Sequence, residues 1–437
     1  MANATLDPVT KGAATGAGYS PAYVNYALAM LTLVFTLNFL DRQIVTILAE
    51  PIKKDLQLAD WQLGMMGGLA FALFYTVLGI PIARVADQSS ANRVWIISGA
   101  LAVWSAMTAL CGLAQNFVHL LLARIGVGVG EAGCTPPAHS LIADYVPAEK
   151  RASAIALYGL GIPIGTLIAF LAGGWMAQEL GWRNAFLLVG LPGVALAAVT
   201  VLTLREPRKE RAGGPTGGAA GATFGEALRE IATKKSFFHL ATAAALISFV
   251  GYGFAFFLPS FFQRTHQMNI AEVGFALGIM SGVAGIIGMW LGGQIGDYGA
   301  KKDVRLYAWA PALGLIVGAP FFVAAMLHAD ATTALWLLAA PTCLNGLWYG
   351  PAFAAVQGLV APRTRAMAAA VLLFIVNIIG LGLGPLVVGL LSDLFATSQG
   401  PAEGLRSALI VAGLTGLWAA FHFWRTGVHL RDELKLS

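Results

Sequence analysis

Four charged side chains stand where charge is expensive. Asp41 and Arg42 close the motif Asn38-Phe-Leu-Asp-Arg42 inside an apolar run from Tyr23 to Leu48, and Arg124 and Glu131 lie within a second run from Phe117 to Ala138. Each run is long enough to cross a bilayer, at about 20 residues per crossing. An ionised side chain at the centre of a spanning helix costs about 2.5–3.5 kcal/mol on insertion scales, so such a residue points to a function and to a partner. Apolar residues continue past Asp41 and Arg42 through Ile44, Val45, Ile47 and Leu48, which argues against a helix end facing water. Arg124 and Glu131, seven residues apart, share a helix face about 10 Å apart along the axis. The first run travels one way and the fourth the other. Asp41 and Arg124 therefore reach similar depth, and an Asp41–Arg124 pair is expected, with Arg124 able to engage Glu131 instead. One arginine neutralises one carboxylate fully, not two, so Asp41, Glu131 and Arg124 are the candidates for proton uptake and release. Arg42 points about 100° away from Asp41 around the helix and is the expected cation for an anionic ligand.

The elements that position these residues are membrane spans. Of 437 residues, 57% are hydrophobic and only 11% charged, with mean hydropathy +0.73; a soluble domain carries roughly 25% charged residues. Twelve spans follow: Tyr23–Leu48, Trp61–Ala83, Val94–Leu113, Phe117–Ala138, Ala152–Ala177, Ala185–Leu204, Phe237–Phe262, Val273–Ile295, Val304–Leu327, Ala334–Leu359, Ala366–Leu391 and Leu405–Trp424. With both termini on one side, that side carries twenty lysines and arginines against five on the other. The positive-inside rule makes it cytoplasmic. The net charge of +5 lies in loops and does not indicate nucleic acid. Cys111, Cys134 and Cys343 have no metal-ligand spacing and are expected to be packing residues. The first residues form a polar tail, not a signal peptide.

The halves repeat. Gly64 and Gly68 precede Asp87 by 23 and 19 residues, and Gly274 and Gly278 precede Asp297 by the same distances. Pro147 leads into Arg151, as Pro362 leads into Arg365. Two parallel six-span repeats with a site between them are a known carrier design. The expected organisation is a tail (1–22), a six-helix bundle (23–204), a linker (205–236), a second bundle (237–424) and a tail (425–437). Within the linker, Ala212 to Ala222 is Gly/Ala-rich and flexible; Phe224, Ala227, Leu228 and Ile231 then recur at helical spacing, as in a short interfacial helix. The glycines at 126, 128 and 130 are not a dinucleotide fingerprint, since no strand precedes them; they suit close helix packing.

The motifs Asn38-Phe-Leu-Asp-Arg42, Gly128-Val-Gly-Glu-Ala-Gly133 and Ala143-Asp-Tyr-Val-Pro-Ala-Glu-Lys-Arg-Ala152 resemble those of bacterial-like spinster-type transporters of the major facilitator superfamily, the carriers of sphingolipids and lysolipids. The superfamily pattern covers the whole chain. The resemblance implies alternating access driven by protons, with an amphipathic cargo such as a lysophospholipid or a sphingoid phosphate. One departure is the loop Asp87-Gln-Ser-Ser-Ala-Asn-Arg93, which lacks the family's first Arg and its Gly, so this inner gate is expected to be weaker or built differently. Asp87, Arg93, Asp144, Arg151, Asp297 and Arg365 are the candidate gating residues, with Asp87 and Asp297 expected to hold the cytoplasmic side closed. The candidate substrate wall comprises Asn38, Arg42 and Glu131 opposite Tyr252, Phe254, Trp348, Tyr349, Phe374 and Asn377; span seven has no charged residue from Phe237 to Phe262.

The alternatives are a carrier of small organic anions, a multidrug exporter, or, in a different class, a membrane enzyme or channel. No nucleophile–base set supports an enzyme, and His139 stands alone near Asp144. The protein is expected to act as a monomer in the bacterial inner membrane, with lipids as its partners, protons as the coupling ion and no cofactor or metal.

Overall fold

The computed structural model describes residues 19–88, 90–147, 150–210, 224–361 and 363–434. Among them are eleven helices long and apolar enough to cross a bilayer: Pro21–Leu56, Asp60–Asp87, Arg93–Cys111, Phe117–Tyr145, Ser153–Leu180, Trp182–Thr203, Lys235–Thr265, Ile270–Gly299, Leu306–Leu327, Met367–Gln399 and Pro401–Leu434. The tenth crossing is not one helix. It runs as Ala331–Asn345, a 3-10 turn Gly346–Trp348, and Tyr349–Gly358, with Gly346 and Pro351 supplying the break. Together they make the two six-helix bundles of an all-α membrane protein. The glycine–alanine linker and the first eighteen residues lie outside the described residues.

Starts and stops follow local chemistry. Asn92, Asn116 and Asp330 cap spans three, four and ten by accepting a backbone N–H three residues on. Asn269 and Glu272 form a reciprocal capping box on span eight. The repeat is visible at the turns: Gly181 and Gly400, which join spans five to six and eleven to twelve, have φ of 82° and 84°, a region that a side chain disfavours. Several helices overrun their apolar stretch, because charged residues stop burial in lipid without stopping a helix. Span one continues to Leu56 and span twelve to Leu434, so most of the expected C-terminal tail is helical. The linker helix Phe224–Ala232 forms as expected. Its Glu230 accepts from Ala361 N (2.6 Å) and Thr364 Oγ1 (2.6 Å), which clasps it to the loop between spans ten and eleven. Burial opposes ionisation there, but these donors hold the carboxyl below its usual range.

The end bearing both termini is called here the terminal end, and the opposite one the distal end. The apolar cores differ between them. At the distal end one cluster runs through both halves, joining Ile44, Leu48 and Met66 to Phe257, Phe261 and Leu277. Toward the terminal end the clusters separate: one around Trp104, Ile142 and Tyr158, joined from the second half by Leu381 and Tyr252, another around Ala244, Trp348 and Phe423 in the second half. The halves are closed distally and parted at the terminal end.

The distal seam between spans two and eleven depends on backbone contact. A Cβ on Gly64 would sit 2.2 Å from the Pro385 carbonyl oxygen. Beside this contact, both helices carry π-helical turns, Met65–Leu69 and Val376–Leu383, irregularities that tend to occur at functional sites. Gly64→Val is therefore expected to destabilise distal closure by about 1–3 kcal/mol, the usual cost of overpacking. Labelling of a cysteine placed at Gln62 with a bulky maleimide should rise accordingly; unchanged labelling would show that the seam tolerates the side chain.

Candidate functional site

Side chains of spans one and four meet at mid-depth, and glycine seats span four against its other neighbours. A Cβ on Gly128 would lie 2.8 Å from the Phe71 carbonyl oxygen, and one on Gly130 would lie 2.6 Å from Trp104 N. Span four thus packs tightly against spans two and three, as its glycine pattern suggests, and Glu131 is carried into the interior. Asn38, Asp41, Arg124 and Glu131 are each 1% exposed or less.

The pairing differs from the expected one. Arg42, not Arg124, meets Glu131: its Nη2 and Nε donate to Oε2 at 2.6 and 3.2 Å. Arg42 is therefore not a free cation. Its guanidinium also lies 4.7–5.0 Å from the ring centres of Phe39, Phe71 and Tyr75, an aromatic cage that favours a cation. Arg124 reaches Asp41 through the backbone, with Nη1 3.4 Å from the Asp41 carbonyl oxygen, and its guanidinium lies over Phe71. Arg42 wins Glu131 because its long side chain turns back across the interface, whereas the 100° separation on the helix fixes only the Cα–Cβ direction.

The cluster is poorly satisfied. Asn38 Nδ2, Asp41 Oδ1, Thr108 Oγ1, Arg124 Nε and Nη2, and Glu131 Oε1 are buried without a hydrogen-bond partner. Leaving a buried polar group unpaired costs about 1–3 kcal/mol, more when it is charged.

The second bundle holds an apolar cavity of about 250 Å³, whose lining includes none of Asn38, Asp41, Arg42, Arg124 or Glu131. It enters the second bundle among spans seven, eight, nine, ten and twelve, and Gln43, Thr166 and Phe170 close it from the first half. Of the expected aromatic wall, Phe254 lines it. Trp348 does not; it is buried in the core of the second bundle. Tyr252 packs against the core of the first bundle, near the Arg42 cage. Tyr349 and Phe374 are exposed, and Asn377 sits in the π-helical turn of span eleven. The rest of the wall is made by small and aliphatic residues such as Val250, Gly251, Gly318 and Gly413, with one further aromatic, Phe322, edge-on to Phe254. Composition hides them, because the same types fill ordinary helix interfaces.

The gating residues divide. Arg93 and Asp144 pair at 2.7 Å. Arg93 is fully buried and also binds Glu206 and the Ser140 carbonyl oxygen, tying spans three and four to the peptide after span six. Arg151 donates to the Val146 carbonyl oxygen at 3.3 Å. Asp87, Asp297 and Arg365 are exposed and make no ion pair among the described residues, contrary to the expectation that Asp87 and Asp297 close this end. That end is parted in this state. The altered loop after span two is held by Arg208, which donates to the carbonyl oxygens of Ala86 (2.8 Å) and Gln88 (3.0 Å).

The ionic closure lies at the distal end, among residues the sequence did not single out. Arg264, at the end of span seven, donates to Glu50 (2.8 Å) and, with both terminal nitrogens, to Asp60 (2.7 and 2.8 Å). Lys53 (2.5 Å) and Ser392 (2.6 Å) also bind Asp60, and Asp393 accepts the backbone N–H groups of Asp60 and Trp61. This latch joins spans one and two to seven and eleven. The available signal was that Glu50, Asp60 and Arg264 all fall at the same ends of apolar runs.

The sequence of Major Facilitator Superfamily proteins matches residues 31–385. The chain belongs to the major facilitator superfamily. It is 35% identical to an MFS-type efflux pump of Mycolicibacterium smegmatis, over 93% of this chain and 94% of that one, and 24% identical to the spinster protein of Drosophila melanogaster, over 89% and 66%. Its fold matches the crystal structure of a bacterial homologue of the human lysosomal transporter spinster, in an inward-facing, unoccupied conformation, with TM-score 0.86 and 35% identity over 95% of this chain and 99% of that one. The chain is a superfamily transporter of spinster type. Its distally closed, terminally parted halves agree with that neighbour's state.

Removing Arg264 leaves buried Glu50 without its cation and Asp60 with Lys53 alone, and breaking a buried pair this way costs about 3–5 kcal/mol. Arg264→Gln is expected to open the distal end of this transporter, whereas Lys53→Gln, at a more exposed position, should change it by less than about 1 kcal/mol. Spin-label distances between the distal ends of spans one and seven would show the difference; equal effects would assign the closure to the apolar core.

Proposed function

We propose that the protein is a proton-coupled secondary transporter of an amphipathic, lipid-like molecule with an anionic head, of the sphingoid phosphate or lysophospholipid class, in a bacterial inner membrane with both termini cytoplasmic. The observation that supports this is a buried Arg42–Glu131 pair in the first half together with an apolar cavity in the second. Gln43 lines the cavity, one residue along span one from Arg42. A polar head fits one wall and an apolar tail the other.

The pairing supplies a coupling rule. While Glu131 is ionised, it occupies Arg42. A proton on Glu131 weakens that charge-assisted bond and frees a planar guanidinium, which suits bidentate contact with a phosphate or carboxylate. Proton and anionic head then bind together, and neither leaves a lone charge in the interior. Asp41, near Arg124 and carrying an unpartnered oxygen, is the second proton site. Arg124 holds span one by its backbone and balances Asp41. Alternating access exchanges the distal latch for closure at the terminal end, where Asp87, Asp297 and Arg365 are free to pair.

Efflux of a lipophilic drug is the second reading, supported by the resemblance to the mycobacterial efflux pump and by the apolar cavity, which sets no head-group requirement of its own.

A phosphorylated sphingoid base and its dephosphorylated twin separate the two. The phosphorylated form is expected to bind more tightly as pH falls from 8 to 5. Glu131→Gln should abolish that pH dependence, and Arg42→Ala should weaken the phosphorylated form selectively by about 1.5–3 kcal/mol, the range for a hydrogen bond to a charged group. Equal loss for both lipids would remove Arg42 from head-group binding and favour the drug reading.

A further inference from the structure

A second cleft lies on the outside of the second bundle, away from the transport site. Spans nine and twelve part there around about 470 Å³, lined by Trp309, Leu313, Ile316, Leu417, Phe421 and Trp424 among others. Leu313, Ile316, Phe421 and Trp424 are exposed, so the cleft faces lipid. Its terminal end is framed by two tryptophans, joined by a bond from Trp309 Nε1 to the Trp424 carbonyl oxygen (3.3 Å). A guanidinium lies over each ring: Arg305 is 5.3 Å from the centre of Trp309, and Arg425 is 6.0 Å from that of Trp424.

Arg305 meets a carboxylate only at the long limit of an ion pair, and no ion pair of Arg425 is seen among the described residues. Arg305 Nε is buried without a hydrogen-bond partner, and its nearest carboxylate oxygen, on Asp303, is 4.0 Å away. Arg425 donates to His429 Nε2 at 3.3 Å, a neutral acceptor that orients the guanidinium without cancelling its charge. Tryptophan and arginine at this level match the interface between head groups and acyl chains. From the tryptophans the cleft then runs about 10 Å toward the bilayer centre, by the seven-residue rise from Trp309 to Ile316.

We propose that this cleft holds one anionic phospholipid of the leaflet at the terminal end, with its phosphate on Arg305 and Arg425 and an acyl chain along Leu313, Ile316, Leu417 and Phe421. The bound lipid is a fixed part of the membrane boundary and not cargo. It braces span nine against span twelve where Trp309 already bridges them. Anionic over zwitterionic selectivity follows because only the former leaves a net negative charge for the two guanidinium groups, of which Arg305 has only a long 4.0 Å contact with Asp303 and Arg425 a neutral partner.

Native mass spectrometry of the full chain, delipidated and titrated with phosphatidylglycerol or phosphatidylcholine, tests this. Phosphatidylglycerol is expected to be retained as a single tight adduct. Arg305→Gln and Arg425→Gln should each reduce its preference over phosphatidylcholine by about five-fold, as expected for one basic residue at an anionic lipid surface. Leu313→Trp, which fills the cleft and leaves both arginines, should reduce retention of both lipids. Lys234→Gln with Lys235→Gln should leave the preference intact, and so should Glu131→Gln, which separates this site from transport. A preference that survives loss of both arginines, that depends equally on Lys234 and Lys235, or that ignores Leu313→Trp would overturn the proposal.

Discussion

Ionised groups taken out of water must meet a counter-charge or give up their own, and this constraint organises the molecule. Among the described residues, buried guanidinium groups answer carboxylates in several clusters, Arg93 with Glu206 and Asp144 at the terminal end among them, and two bear on transport. At the distal end Arg264 binds Glu50 and Asp60 across the halves. At mid-depth Arg42 binds Glu131 within the first half. The distal cluster has nearly all its donors and acceptors matched. The central one leaves oxygens and nitrogens on Asn38, Asp41, Arg124 and Glu131 unmatched. A matched cluster fixes one arrangement, whereas an unmatched one is open to a proton or an anion. This contrast separates the latch from the site.

The apolar packing supports the same division. A continuous core across both halves at the distal end gives one state its closure, and separate cores at the terminal end let each bundle persist as a body when the halves rock. Ion pairs cost much of what they return once desolvated, so the latch is better placed to choose between states than to hold the bundles together. Backbone contact at Gly64 lies beside the π-helical turns of spans two and eleven at this seam.

The two halves share a fold and divide the chemistry. Charge sits in the first half and apolar volume in the second, where the central part of span seven is uncharged. A duplicated scaffold permits this, because the repeat fixes helix positions and turns, such as those at Gly181 and Gly400, while leaving side chains facing the centre free to diverge. The loop after span two shows the same freedom: it lost its usual arginine, and Arg208 from beyond span six holds its carbonyl oxygens.

Hydropathy, loop charge and the repeat of glycine and aspartate spacing determined the membrane class, the spans and the duplication, because the cost of burying polar groups in lipid is written residue by residue. The same cost marked Asp41, Arg42, Arg124 and Glu131 as the central cluster. Which arginine meets which carboxylate was a tertiary matter: helical spacing fixes where a side chain leaves the backbone, and the reach of Arg42 to Glu131 depends on how span four, seated on spans two and three at Gly128 and Gly130, presents that carboxylate. The break in span ten, the burial of Trp348 and the cavity wall of small residues were likewise decided by packing, since glycine, valine and phenylalanine read alike whether they face a neighbour, a lipid or a void. The distal latch needed the fold most. Glu50, Asp60 and Arg264 are ordinary charges at the ends of apolar runs, and only the closure of one half against the other makes them a single buried network.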